Sequence, residues 1–338
     1  MQAIKPYAQI VDIDFGRNVL KKIELVGRTC YKSTDKITED SAPKFVSNLV
    51  NAGHEAMLEH ASFAFILPYG EWKGLQVIID NLEGNNEDHF FKCFLRFTGH
   101  SERNIVSGNV RAWRDFFEEC YEQTGCIPNY FRNFIEQNPV LFPEYQKGIR
   151  YFGSDYVARL TPIHYEDLKT TEEILTHWDV TVRFVIDRGI SHEVVRHRPA
   201  SFAQESTRYC NYSKDKFEHT VTYIDLSGGI ELCPVTSKLP PETIRAIMAE
   251  WWDACRDAEK HYFRMLELGT SPQIARSVLN NSTKTQLGVT FNIREWRHFF
   301  RLRTASDAHP QMREVANALL AWFKEHIPVL FDDLDAEA

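Results

Sequence analysis

Fixed positive charge gathered into one short stretch constrains this chain most. Arg196-His197-Arg198-Pro199-Ala200-Ser201-Phe202-Ala203-Gln204-Glu205-Ser206-Thr207-Arg208-Tyr209 packs three arginines into fourteen residues, although the 338-residue chain carries a net charge of −8. Guanidinium keeps its proton inside a protein, and its planar fork matches phosphate and imide oxygens. The fold must gather these groups into a local basic pocket, because an acidic chain disfavours a general nucleic-acid surface. The serines and the glutamine add polarity that can orient a small polar ring. The flanking pattern indicates what holds the stretch. Val180, Val182, Phe184 and Ile186 alternate, which predicts a strand over 180–186. Gly189 breaks it, Ser191 is placed to cap a short helix through Arg198, and Pro199 ends that helix.

The other elements mix strands and helices without repeated strand–helix–strand units, so an α+β fold is expected: a mixed sheet flanked by helices in one large domain over 1–338. A helix is predicted over 41–52, with Ser41 as cap and Gly53 as stop, followed by a strand over 62–67. Residues from about 71 to 176 read as a mainly helical insertion. His219–Ile224 reads as a strand, and Pro240-Pro241 opens a long amphipathic helix that stops at Gly269. Ser271-Pro272 opens a helix carrying Arg276, Thr285–Phe291 reads as a strand, and Pro310 opens the last helix. One echo stands out: Asn109-Val110-Arg111-Ala112-Trp113-Arg114-Asp115-Phe116-Phe117 and Asn292-Ile293-Arg294-Glu295-Trp296-Arg297-His298-Phe299-Phe300 share Asn-x-Arg-x-Trp-Arg-x-Phe-Phe. For the first copy, a helix with an Asn cap and buried aromatics is explanation enough.

Several function classes drop out. His54-Glu55 and His192-Glu193 each begin like a zinc-hydrolase motif, but the next histidines, His60 and His197, fall off the shared helix face that a metal needs. No metal is expected. Neither a dinucleotide-binding glycine fingerprint nor a P-loop occurs. No apolar run long enough to span a membrane appears, and Met1–Pro6 lacks the apolar core of a signal peptide. The seven scattered cysteines contain no Cys-x-x-Cys and read as free thiols of a reducing cytoplasm.

Arg196-His197-Arg198, two residues, Ser201, four residues, Ser206, one residue, Arg208 resembles the signature of the flavin-dependent thymidylate synthases. The likeness extends through Gly53-His54-Glu55…Glu59-His60, Ala275-Arg276-Ser277-Val278-Leu279 and Asn292-Ile293-Arg294…Phe299…Arg303, in the family's order over residues 8 to 330. The stretch 71–176 has no match in compact members. The resemblance implies FAD as cofactor, with dUMP, 5,10-methylenetetrahydrofolate and NADPH as substrates, and a cytoplasmic homotetramer with sites between subunits. It also implies residue roles. Arg196, His197 and Arg198 would contact the flavin, joined by Ala56, Glu59, Gln204, Asn292, Ile293, Arg294 and His298. Glu193, Val194, Val195, Arg196 and the run Gln204, Glu205, Ser206, Thr207, Arg208 would surround dUMP. Arg208 and Arg276 would hold chiefly its phosphate. Arg303 would sit against the uracil and favour its N3 anion, with Ser206 close by and His54 near the isoalloxazine and folate. Departures are Ala203-Gln204 where some members have Asn-Glu, Ala56 in place of Ser or Thr, and His298 in place of Asn.

Raising electron density at C5 of uracil needs either a nucleophile or electrostatic polarisation. A permanent cation at Arg303 can supply the second, at about 3–4 kcal/mol by analogy with an oxyanion donor. Cys210 lies two residues past Arg208 and could be a nucleophile if its pKa were lowered, but the family uses no thiol. Ser206 lacks a Gly-x-Ser-x-Gly elbow and reads as a positioning hydroxyl. Two alternatives stay open: another nucleotide-modifying flavoenzyme on the same scaffold, and a non-enzymatic nucleotide- or RNA-binding protein.

Overall fold

Eleven strands carry the fold in a computed structural model, which describes residues 1–12, 17–82, 91, 94–100, 103–153, 160–206, 211–214, 218–327 and 329–335. They are β1 (Gln2–Ile4), β2 (Tyr7–Asp12), β3 (Ser62–Leu67), β4 (Arg96–His100), β5 (Arg103–Asn109), β6 (Ile127–Pro128), β7 (Tyr151–Phe152), β8 (Asp179–Asp187), β9 (Ser201–Gln204), β10 (Thr222–Ile224) and β11 (Lys284–Asn292). Two sheets dominate, in the orders β3-β5-β4 and β2-β8-β11-β9, both antiparallel. Helices pack around them, an α+β architecture.

The two sheets are built alike. Ser62 stands opposite Asn109 in one and Asp179 opposite Asn292 in the other. Each central strand then receives a third strand, pairing Arg96 with Ser107 and Ser201 with Thr290. Each central strand ends in an asparagine, and the two halves of the sequence echo take the same form. Asn109 Oδ1 accepts from Ala112 N at 2.8 Å, and Asn292 Oδ1 accepts from Glu295 N at 2.9 Å. These caps open the Asn109 helix (Val110–Thr124) and the Asn292 helix (Ile293–Arg303). Val110 N donates to Ala61 O and Ile293 N to Trp178 O, one residue before the partner strand in each case. The indoles follow suit: Trp113 Nε1 donates to Phe63 O, and Trp296 Nε1 to Val180 O. Each helix buries its Trp-x-x-Phe-Phe in its own core, the first with Phe63, Phe65 and Phe131, the second with Phe184, Phe291 and Phe323.

The two units meet across a seam with reciprocal contacts. His60, two residues before Ser62, shares a 2.8 Å hydrogen bond with Thr290; His177, two residues before Asp179, shares one of 2.7 Å with Ser107. Ser107 and Thr290 each lie two residues before the capping asparagine. Ser62 Oγ donates to Asp179 Oδ2 at 2.6 Å between them. Residue i meeting j′ while j meets i′ is the contact rule of a two-fold axis. Here it is realised inside one chain.

Several boundaries differ from the sequence reading. The segment 71–176 has helices at Tyr69–Leu82, Val110–Thr124, Arg132–Gln137 and Thr171–His177, and it also supplies β4 and β5 to the sheet begun by β3. The short helix before the basic stretch is Arg188–Val194, capped by Asp187, whose Oδ1 accepts from Ile190 N at 2.7 Å. Gly189 lies inside its first turn, and Ser191 is buried within it. Asp187 wins because its carboxylate reaches the third amide on, while the Ser191 hydroxyl turns back to Arg188 O. Glu218 and His219 take left-handed φ of 53° and 51°, which leaves only Thr222–Ile224 as strand. The helix after Ser271 ends at Ala275, and Arg276 begins a 3₁₀ turn. Cys126 and Cys233 are partly exposed, whereas Cys30, Cys120 and Cys255 are buried; Cys93 and Cys210 lie outside the described residues. Among the described residues no helix is long and apolar enough to cross a membrane.

Candidate active site

The Asn292 helix delivers its last residue, Arg303, to the loop between Arg188–Val194 and β9. Arg303 Nε donates to His197 Nε2 at 3.0 Å, NH1 to Glu193 Oε2 at 2.9 Å and NH2 to Glu193 O at 3.0 Å. His197 can accept because it is neutral. Burial, then the positive charges of Arg303, His298 and Arg198, lower its pKa to about 4. Three of the five guanidinium N–H groups are thus used, leaving one on each terminal nitrogen for a ligand oxygen. Rings of Phe291, Phe299 and His298 surround the imidazole.

Other expected site residues gather nearby. Arg196 and Arg198 are exposed, and Arg198 NH1 donates to Val195 O and His197 O while its guanidinium lies 5.4 Å from the Phe202 ring centroid. Gln204 Nε2 donates to Ser191 Oγ at 2.9 Å, which orients the amide at the end of β9. Exposed Arg294 donates NH2 to Thr176 Oγ1 at 3.0 Å, and His298 is exposed one turn further along. Glu59 and Asn292 line one small seam cavity of ≈ 30 Å³ with Ser62, Asn109, Asp179 and Ser201. Burial raises the Glu59 pKa against the lowering pull of Arg111.

Some expected residues are placed differently. Glu205 is buried, with its carboxylate 3.0 Å from Lys32 Nζ and 2.9 Å from Lys284 Nζ, so it anchors the loop instead of facing a ligand. Burial lowers the Lys284 pKa, and Glu205 opposes that shift. Val194 and Ile293 are fully buried in the core, so only their backbones could reach a ligand, whereas Val195 is half-buried. Ser206 is half-buried, its N–H donating to Cys30 O. His54 is exposed just before the 3₁₀ helix Glu55–His60, and Ala56 is exposed within it. Arg276 is half-buried at its own 3₁₀ turn against the long helix Pro241–Glu267. Thr207, Arg208 and Cys210 lie outside the described residues.

The sequence reading missed Arg96, His177, Asp179, Lys32 and Lys284. Arg96 forks onto Asp179 with both bonds at 2.6 Å, and Asp179, though buried, has a lowered pKa because Arg96 and Ser62 overcome desolvation. Nothing in the local pattern around Arg96 marks it, since its partner lies 83 residues away.

A family profile described as "Thymidylate synthase complementing protein" matches residues 165–329. The chain is 34% identical over 148 residues to the flavin-dependent thymidylate synthase of Geobacter sulfurreducens, covering 44% of this chain and 57% of that one. It is also 34% identical over 152 residues to the enzyme of the same name from Thermococcus kodakarensis, covering 44% and 56%. The chain thus spans less than two thirds of the length of these relatives. A solved UMP/dUMP methylase from Streptomyces cacaoi, bound with 5-Br dUMP, aligns over 98% of this chain and 96% of its own at 15% identity, with a TM-score of 0.43.

Proposed function

We propose that this chain, which matches the family profile over residues 165–329 and is 34% identical over 148 residues to a flavin-dependent thymidylate synthase, methylates dUMP to dTMP with FAD, 5,10-methylenetetrahydrofolate and NADPH. The observation that carries the reading is Arg303, held by Glu193 and a neutral His197 with two N–H groups left over. A fixed cation so oriented can stabilise an imide anion on uracil without removing a proton itself. Arg208 and Arg276 would take the phosphate through charge-assisted bonds, each costing about 2–5 kcal/mol if broken while buried.

FAD suits the residues present. Arg196, Arg198 and Arg294 are exposed guanidiniums, Arg198 lies 5.4 Å from the Phe202 ring, and Arg294 is answered by the Thr176 hydroxyl rather than a carboxylate. This donor set fits a pyrophosphate and a planar ring. Arg196, His197, Arg198, Arg294 and His298 would hold the cofactor, with Glu59 and Asn292 at the seam. Bound and reduced, the flavin would supply the hydride that converts a transferred methylene to methyl. A homotetramer with shared sites accords with the open side of Arg196 and Arg198.

The test is purified protein given dUMP, methylenetetrahydrofolate and NADPH. A yellow protein bleached by NADPH that forms dTMP supports the reading. Bleaching without dTMP assigns another nucleotide-modifying flavoenzyme. A protein that cannot be loaded with flavin yet binds RNA assigns a non-enzymatic role.

A further inference from the structure

Residues 176–180 are gripped from two sides. The side chains at 177 and 179 point into the first unit. His177 Nδ1 pairs with Ser107 at 2.7 Å and Nε2 with Thr98 at 2.9 Å, while Asp179 takes the Arg96 fork and the Ser62 hydroxyl. The carbonyls at 176, 178 and 180 point the other way, onto the Asn292 helix. Thr176 O accepts from Asn292 Nδ2 at 3.2 Å, Trp178 O from Ile293 N at 3.0 Å and Val180 O from Trp296 Nε1 at 3.0 Å. Arg294 adds its bond to Thr176 Oγ1. The residues 176–180 that accept these bonds from the start of the helix are therefore also held by β3, β4 and β5.

The geometry points to Arg96 as a positioning residue for the candidate active site, acting through Asp179 on the Asn292 helix. The helix is an 11-residue rod, about 15 Å long, with its cap at the gripped end and Arg303 at the other. A small tilt at the cap displaces the guanidinium. Arg96, Thr98 and Ser107 all belong to the segment 71–176, so this stretch is a structural partner of the site and not an appendage. The bidentate pair suits that task because a fork fixes orientation as well as distance. Asp179 is buried at 6% exposure, so removing the fork would leave a carboxylate uncompensated.

The nucleotide readout rests on the proposed function; the structural readout does not. Arg96→Gln, Asp179→Asn and the double variant are compared with wild type by dUMP calorimetry, amide exchange over 293–303 and thermal melting. Arg96→Gln is expected to weaken dUMP binding roughly tenfold and to speed exchange at the start of the Asn292 helix. The double variant, which pairs two neutral amides, is expected to recover most of both. If Arg96→Gln proves insoluble, Arg96→Lys, which keeps the charge without the fork, gives the same readouts. A lower melting temperature with unchanged dUMP affinity and unchanged exchange over 293–303 overturns the inference and leaves the pair a fold stabiliser. If wild type itself fails to bind dUMP, the functional reading fails, and exchange over 293–303 alone decides the inference.

Discussion

The unit around the Asn109 helix and the unit around the Asn292 helix share a backbone plan and differ in charge. Arg111 and Arg294 are the third residues of the two echo motifs. Arg111 NH1 reaches Glu59 at 2.7 Å, an ion pair, whereas Arg294 reaches a hydroxyl at the corresponding place, Thr176. Arg114 is enclosed by Glu55 at 3.1 Å and Glu144 at 2.8 Å. Asp115, whose pKa burial raises to about 6, stands where the other unit has His298. Cys120, buried, with its thiol pushed up to about 12 by desolvation, stands where the other unit has Arg303. One unit thus pairs both Arg111 and Arg114 with carboxylates, while its counterpart pairs Arg297 with Asp333 and Arg303 with Glu193 but sets Arg294 against a hydroxyl. On the proposed function, one unit is a support and the other carries the binding face, although their strand pairing follows the same register.

The difference can be broken most severely at Arg303. Arg303→Ala should retain the fold and the flavin but lose about 10²–10³ in kcat; near-wild-type turnover would remove Arg303 from the chemistry. Next in size, Thr176→Glu gives the second unit the carboxylate of the first. Neutralising Arg294 in this way should weaken flavin binding roughly tenfold, on the scale of one charged hydrogen bond. Unchanged affinity in a fluorescence titration would show that Arg294 does not face the cofactor.

The seam offers a third, smaller test. His60 and His177 are both buried and neutral, each with a pKa pushed to about 3, mainly by desolvation. The unfolded histidines titrate near 6.5, so unfolding takes up protons between about pH 6.5 and pH 3. Stability should therefore be complete above that range and fall as pH drops through it, by about 1.4 kcal/mol per pH unit for each histidine. Asp179, with its lowered pKa, acts in the same direction at the acid end. His177→Phe should cost about 1–3 kcal/mol and flatten this slope in acid denaturation. His60→Phe should cost less, because Ala203 occupies the place that Thr98 takes beside His177 and has no hydroxyl to lose. Equal costs would show that the two seam contacts are energetically alike. The smallest effect is expected from Cys210→Ala, which should keep most activity; loss of activity with intact folding would bring a thiol into the mechanism.

Much of the candidate site's local geometry was legible from sequence because it rests on short-range spacing. The basic stretch, the capping asparagines and the Trp-x-x-Phe-Phe faces all follow from spacing within a turn or two. The pairing of the units was not legible, although one half of it, the Asn-x-Arg-x-Trp-Arg-x-Phe-Phe echo, was in plain view. A further likeness even misdirects. His54-Glu55…Ala61-Ser62-Phe63-Ala64 reads like His192-Glu193…Ala200-Ser201-Phe202-Ala203, yet Ser62 corresponds in space to Asp179, and Ser201 to Arg96. Backbone hydrogen bonds fix that correspondence, and they leave no trace in side-chain identity. Glu205 misleads for a related reason. It sits inside the polar run, but Lys32 and Lys284, remote in sequence, turn it inward.

The stoichiometry of dUMP binding tests most directly whether only the unit around the Asn292 helix carries a nucleotide. Calorimetry on the intact protein should give one nucleotide per chain, with binding lost or greatly weakened in Arg303→Ala and kept in Arg111→Ala. Two nucleotides per chain, or binding that survives Arg303→Ala and disappears in Arg111→Ala, would contradict it.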